Sequence, residues 1–373
     1  MKKKITVLLL CRGISAGMLC ACGSSENGNA SDTSSDEVSY DVIEYDALEY
    51  VTLGDYKNIE ITLTSADYEV SKEDVENEML TQIASHPIYK KTKKTTVKDD
   101  SLVCVDYKAL VDGEEYEDAA AEDVYISIKT DSSGYPDGFV DSLVGHNVGD
   151  TFEVETTFAE DFEDASVAGE DVTFEVTINA IVKKTYPDLD TITDEYVSEN
   201  FDCDTVDDFY NAVEEQLQQE GQENMESDIQ REVIATLTDE SEIKEVPAGL
   251  LEQRIAQYEA QFEAMASNYG MEVEDYLNSY YGMTVDEYEE KVKTSMEETV
   301  NQEMVLSAVA QTEGIEVDEE GYSEYISDVL EGYGFDETDE LYSVYPEDYM
   351  RQLYLYYTKV ASYLVQNADI TYE

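Results

Sequence analysis

The sequence predicts an α+β multidomain protein in which an antiparallel β-domain precedes an extended all-α domain. Three observations carry that expectation. Between about residues 97 and 184, short runs such as Leu102-Val103-Cys104-Val105-Asp106-Tyr107 and Val172-Thr173-Phe174-Glu175-Val176-Thr177-Ile178 alternate apolar and polar positions, the period of strands packed on one face. Beyond Pro187 the apolar spacing changes to threes and fours and stays so almost to the end, the period of amphipathic helices. A chain of 373 residues is also longer than one hydrophobic core usually serves, so two or three domains are expected.

The first 21 residues carry Lys2, Lys3 and Lys4, then the apolar run Ile5 to Cys11, and lead into Leu19-Cys20-Ala21-Cys22. This resembles a bacterial lipoprotein signal. The resemblance implies removal of residues 1–21, acylation of Cys22 and an extracytoplasmic protein lipid-anchored to the outer face of the cytoplasmic membrane. Arg12 interrupts the apolar stretch, where a charge costs ~2.5–3.5 kcal/mol on insertion scales. Residues 22–49 then open with Gly23-Ser24-Ser25-Glu26-Asn27-Gly28-Asn29, too poor in apolar groups to offset the entropy of folding, and are expected to form an acidic flexible tether.

Residues 50–96 predict a linker strand and helix packing with the helical domain. Ile59-Glu60-Ile61-Thr62-Leu63 alternates like a strand, and Ser71 with Asp74 forms a capping pair before the stripe Val75, Met79, Ile83. His86-Pro87 closes that helix. The β-domain is expected over 97–186, with Asp112-Gly113 as a tight hairpin turn. The helical domain covers 187–373. It contains a cap at Thr205 and Asp208, a face of Leu251, Ile255, Tyr258, Phe262, Met265 and Tyr269 ending at Gly270, and a capping box at Thr284 and Glu287. That box precedes Tyr288, Val292, Met296, Val300 and Met304, and a last helix runs from about Glu347 to Gln366.

Composition excludes several functions. With 88 Asp and Glu against 22 Lys and Arg, the net charge is -66, which disfavours nucleic acid as a partner. The five lysines between Lys90 and Lys98 read as a solvated loop. No cofactor or metal motif is legible. His86 and His146 lie apart from other ligating residues, Asp202-Cys203-Asp204-Thr205-Val206-Asp207 has no glycine at the turn a calcium loop needs, and no Gly-x-Ser-x-Gly or phosphate loop occurs. Cys104 and Cys203 fall in different predicted domains, so a disulfide scaffold is not indicated.

Read in order, Leu53-Gly54-Asp55-Tyr56-Lys57, Val105-Asp106-Tyr107 to Asp112-Gly113-Glu114-Glu115-Tyr116, Gly138-Phe139, Gly145-His146 to Gly149-Asp150, Phe158-Ala159-Glu160-Asp161-Phe162, Tyr186-Pro187-Asp188-Leu189 and Val246-Pro247 resemble bacterial trigger factor. The likeness runs from about Tyr50 to the end and includes an FKBP-type peptidyl-prolyl isomerase domain and a C-terminal chaperone domain. The Gly-Phe-Arg-x-Gly-Lys loop of the family's ribosome-binding domain has no counterpart, so no ribosome role is expected. The resemblance implies a folding factor whose partners are unfolded or nascent secreted polypeptides and proline-containing peptides.

By the same resemblance Phe139 is the floor of an isomerase pocket, with Tyr107, Tyr116, Phe162 and Phe174 as the other catalytic aromatics. Ile126, Glu117, Tyr135 and Pro136 would contact substrate. Taken by alternation alone, these aromatics read as sheet core ahead of pocket; the order of the motifs reverses that preference for Phe139 and Tyr116 only. Rotation about an X-Pro bond needs no nucleophile or proton donor, only an apolar site that favours the twisted amide. Pro136 stands where the isomerase offers a backbone N–H, and Phe162 where some relatives carry a tyrosine hydroxyl, so weak or absent turnover with retained peptide binding is expected. The alternatives are a non-catalytic peptide-binding chaperone lipoprotein and a solute-binding lipoprotein. The latter would alternate strands and helices in two lobes, whereas here strands cluster first and helices follow.

Overall fold

The structure, a computed structural model, describes residues 38–130, 135–159, 162, 164 and 166–373; Cys22, the signal segment and most of the tether lie outside the described residues. Two compact units result, one of residues 71–215 and one of residues 38–70 with 216–373. Among the described residues no helix is long and apolar enough to cross a membrane.

Among the described residues the first elements are a short helix α1 (Ala47–Tyr50) and strands β1 (Val51–Thr52) and β2 (Glu60–Leu63), which belong to the helical unit. The β-rich unit opens with α2 (Lys72–Ala84). Ser71 and Asp74 exchange both hydrogen bonds of a capping box, and Val75, Met79 and Ile83 are the residues this helix buries, the stripe that their four-residue spacing predicts. Then β3 (Ile88–Lys91), β4 (Leu102–Val111), β5 (Glu114–Ser127), β6 (Thr151–Thr157) and β7 (Asp171–Thr185) make one antiparallel sheet. Strand β7 is its spine, pairing with β3, β4 and β6, while β4 pairs onward with β5. The β4–β5 turn places Asp112 and Gly113 at φ 53° and 82°, the left-handed backbone an Asp-Gly pair tolerates. Lys90 and Lys91 are exposed on β3, which has a partner on one side only; charges there deter further strand pairing.

A short helix α3 (Phe139–Ser142) lies between β5 and β6. After β7, α4 (Asp194–Asn200) follows; the Tyr196 hydroxyl donates to the His86 carbonyl at 2.6 Å, and Phe201 stacks on Phe209 at 4.2 Å. Phe209 lies on α5 (Val206–Glu240), the helix that carries the chain from the β-rich unit into the helical one.

The helical unit continues with β8 (Glu242–Ile243), α6 (Leu250–Asn268), α7 (Val273–Tyr276), α8 (Val285–Glu313), α9 (Glu319–Tyr333), α10 (Thr338–Val344) and α11 (Glu347–Tyr354). A wide π-type turn, Leu355–Val360, joins α11 to α12 (Ala361–Asn367), and β9 (Asp369–Tyr372) ends the chain. Strand β8 pairs antiparallel with β1, and β9 pairs in parallel with β2. The unit thus holds backbone hydrogen bonds between segments far apart in the sequence. Thr284 and Glu287 form the expected capping box of α8, whose Tyr288, Val292, Met296, Val300 and Met304 are buried.

Helix α6 departs from its apolar pattern. Of the expected face, Phe262 is buried, Leu251, Ile255, Tyr258 and Met265 are half-buried, and Tyr269 is 60% exposed. The fully buried side instead carries Leu250, Arg254, Gln257 and Gln261 with Phe262 and Ala266. Polar groups occupy it because Arg254 is neutralised there: its Nε donates to both oxygens of the equally buried Glu303 at 3.1 Å.

Two outcomes follow for the helical unit. Thr284→Ala, which removes the α8 cap, lowers its stability by ~1 kcal/mol in urea unfolding, whereas Thr294→Ala, on an exposed mid-helix position, leaves it nearly unchanged. Glu313 accepts hydrogen bonds from Tyr56, Lys57 and Tyr363, which hold its carboxyl at about 2 against an ordinary 4.5. Since the folded value is the lower one, its stabilisation is complete above pH 4.5 and is lost as pH falls to about 2. Glu313→Gln should therefore destabilise the unit at neutral pH and match the parent near pH 2, as read by circular dichroism.

Candidate peptide-binding site

The register of β4 on β7 places Ala109 opposite Phe174 and Tyr107 opposite Val176. Alternation along β7 turns Val172, Phe174, Val176 and Ile178 to the interior. Gly138, at φ 80°, then starts α3 and lays Phe139 on this surface. The Phe139 ring meets Phe174 edge-on at 4.8 Å and Tyr107 at 5.6 Å, and Tyr135 stacks on it at 5.1 Å with 13° between the planes. Tyr135 also meets Tyr107 edge-on at 6.1 Å. Four rings from three separate segments thus form one contact group.

Phe139 and Ile126 have no exposed surface and Phe174 is 3% exposed, so all three belong to the interior as much as to any pocket. Tyr107, Tyr116, Tyr135 and Phe162 are half-buried and pack around that core. Tyr135 covers one face of Phe139. The carbonyl of Pro136 accepts the Phe139 N–H at 3.0 Å, so Pro136 serves the first turn of α3. Glu117 lies in β5, and its side chain is outside the described part of the structure.

Tyr116 and Phe162 sit at the other end of the same surface, joined through Phe158, which stacks on Phe162 at 4.5 Å and meets Phe174 at 6.1 Å and Tyr116 at 6.0 Å. The Tyr116 hydroxyl donates to Asp164 at 2.8 Å. Asp164 also accepts the Ser166 N–H at 2.8 Å and is held below the usual carboxylate range by Ser166 first and Tyr116 after it. That acceptor pushes the Tyr116 phenol up to about 12. Phe158 opens one of the motifs behind the family resemblance but was not assigned to the site, and Asp164 was not singled out at all. The Asp164–Ser166 turn is a local signal for the latter, but nothing local indicates its contact with Tyr116.

What the described residues of this surface offer is chemically plain: aromatic faces and edges, a phenol tied to a carboxylate, and among them no nucleophile–base pair. It suits an apolar side chain or a proline ring, and chemistry that needs only a dry, shaped environment.

A second aromatic surface lies in the helical unit. Tyr280 and Tyr281, from the turn Leu277–Tyr281 after α7, are 59% and 53% exposed. Tyr276 contacts Tyr280 at 4.7 Å and Tyr269 at 5.4 Å, and Met271 and Met283 pack beside it.

Residues 93–179 match the family of FKBP-type peptidyl-prolyl cis-trans isomerases, and residues 205–366 match the bacterial trigger factor protein C-terminus. The class is therefore an FKBP-type β-rich region followed by a trigger-factor-type helical region. In particular, the chain is similar to trigger factor of Halothermothrix orenii, 31% identical over 279 residues that cover 75% of this chain and 63% of that protein. It is similar also to trigger factors of Desulforamulus reducens, 27% identical with 75% and 62% covered, and Acetivibrio thermocellus, 24% identical with 86% and 73% covered. A solved trigger factor chaperone aligns with a TM-score of 0.44 and 21% identity over 85% of this chain and 72% of that one. The chain spans a little under two thirds of the length of the first two curated relatives.

The burial of the ring group sets an order of stability effects. Phe139→Ala costs ~3–5 kcal/mol, while Tyr135→Ala, which removes a half-buried ring, costs less than half as much. Urea unfolding of each variant checks this, and equal costs would mean that Tyr135 is as much part of the core as Phe139.

Proposed function

We propose that the chain is an extracytoplasmic protein-folding factor that holds unfolded polypeptide, anchored to a bacterial membrane by lipid on Cys22. The observation that carries this reading is the succession of an isomerase-type stretch and a trigger-factor-type stretch in one chain, each with an aromatic surface of its own. Lys2, Lys3 and Lys4, the apolar run after them and the Leu19-Cys20-Ala21-Cys22 box support the anchor. The net charge of -66 keeps a client-loaded surface soluble and repels other copies.

In the β-rich unit a proline-containing segment takes the place of Tyr135 over Phe139. Tyr107, Phe174 and Ile126 support that floor, Tyr116 and Phe162 flank it, and Pro136 lies at its edge, where the family resemblance also assigns Glu117. The environment favours the less polar twisted amide over the planar one, which water solvates better. Pro136 offers no N–H to a substrate carbonyl and Phe162 no hydroxyl, so the twisted form gains little directed stabilisation. Binding without rapid turnover is the expected balance.

The chain should suppress aggregation of a reduced, unfolding protein at near-stoichiometric ratio in a light-scattering assay, and accelerate isomerisation of a Leu-Pro tetrapeptide weakly or not at all. Absence of suppression by the folded chain would overturn the folding-factor reading, and rapid isomerisation would overturn the account of Pro136 and Phe162. Cys22→Ser should abolish incorporation of radiolabelled fatty acid into the protein in an expressing bacterium; undiminished labelling would contradict the anchor.

A further inference from the structure

Residues 39–45, outside any helix or strand, cross the helical unit as a strap held in a way that does not depend on most of their side chains. Three glutamines reach backbone carbonyls: Gln257 Nε2 donates to Ser39 O at 2.8 Å, Gln253 Nε2 to Asp41 O at 2.9 Å and Gln311 Nε2 to Tyr45 O at 3.4 Å. Two rings add to this. Tyr40 meets Tyr345 and Tyr349 edge-on at 5.2 and 5.3 Å, and Tyr45 packs against the core beside Ser307 and Tyr356. A cavity of about 640 Å³ runs along the strap, lined by Val42, Ile43, Tyr45, Ser307, Gln352 and Tyr356.

The floor beneath the strap is polar. Gln257 is fully buried and links the strap to the charge pair below it, since its Oε1 accepts from Arg254 Nη1 at 3.1 Å while its Nε2 holds Ser39 O. Arg254 and Glu303 are each 2% exposed. Burying such a pair sacrifices hydration that its mutual attraction only partly restores. Departure of the strap lets water reach Gln257 and Arg254, which offsets part of the lost contact. An apolar seam would gain nothing on opening.

We propose that the groove between α6, α8 and α11 is a binding site for an extended polypeptide segment with aromatic residues five positions apart, and that residues 39–45 are its resident ligand, displaced by client. The inference rests on the client-holding role proposed above. Side-chain amides that read carbonyls accept any extended backbone, and the positions of Tyr40 and Tyr45 set the aromatic spacing; the strap itself shows the form of chain the groove takes.

The test uses the full chain and a fluorescent nonapeptide of the strap's own sequence, Val-Ser-Tyr-Asp-Val-Ile-Glu-Tyr-Asp, read by anisotropy. In the parent the tethered strap competes at high effective concentration, so Tyr40→Ala should bind the peptide about ten-fold more tightly. Adding Gln253→Ala should weaken that binding several-fold, and a peptide with serine at both tyrosines should not bind. Equal binding to the parent and Tyr40→Ala would overturn the proposal. Hydroxyl-radical footprinting of the unaltered chain keeps the test independent of the variants. Oxidation of Tyr40 and Tyr45 should rise several-fold when reduced, carboxymethylated α-lactalbumin is bound. If that client co-sediments with the chain while both tyrosines stay protected, the strap proposal fails and the folding-factor reading stands. If no client binds, both fail.

Discussion

The edge-on contact between Phe139 and Phe174 is the constraint on which the β-rich unit depends. It ties α3, a four-residue helix that has little stability of its own, to the strand that pairs with three others. Strand β7 is fifteen residues long, and its register with β4 decides which rings lie under α3. A one-residue slip would turn Phe174 and its alternate neighbours to the opposite face. The candidate site inherits its position from this register, and Tyr107, Tyr135 and Phe139 inherit theirs from Phe174.

The helical unit is organised differently. Its core is large and apolar, yet one of its central contacts is the Arg254–Glu303 pair with Gln257 above it. Segments far apart in the sequence are tied together through β1 with β8, β2 with β9, and the strap over α6. Such a unit combines a rigid interior with segments held mainly by backbone hydrogen bonds, a division that suits a surface exchanging one extended chain for another.

Much of this architecture was legible in the sequence because it rests on local rules. The capping boxes at Ser71 and Thr284, the Asp112-Gly113 turn, the stripes Val75-Met79-Ile83 and Tyr288 to Met304, and the strands containing Val105 and Phe174 stand where spacing places them. The interior side of α6 was not legible. Its apolar periodicity points to Leu251, Ile255 and Tyr258, whereas Arg254 and Gln257 are buried because of Glu303 on another helix, a partner no local pattern announces. The tie between Tyr116 and Asp164 escaped for the same reason, and so did the pairing of β2 with a strand at the far end of the chain. At the candidate site the alternation of aromatics favoured core and only the motif order favoured a pocket at Phe139 and Tyr116; the structure gives Phe139 the burial of a core residue beneath a rim of half-buried rings.

The central claim is that the ring group around Phe139 receives a proline-containing segment in place of Tyr135. The most direct measurement is a titration of the isotope-labelled full chain with a Leu-Pro tetrapeptide, followed by backbone and aromatic NMR signals. The account predicts the largest changes at Tyr135, Gly138 and Phe139, smaller ones at Tyr107 and Phe174, and loss of the ring-current shift that Tyr135 owes to its stack on Phe139. Saturable binding that leaves these signals in place would contradict it.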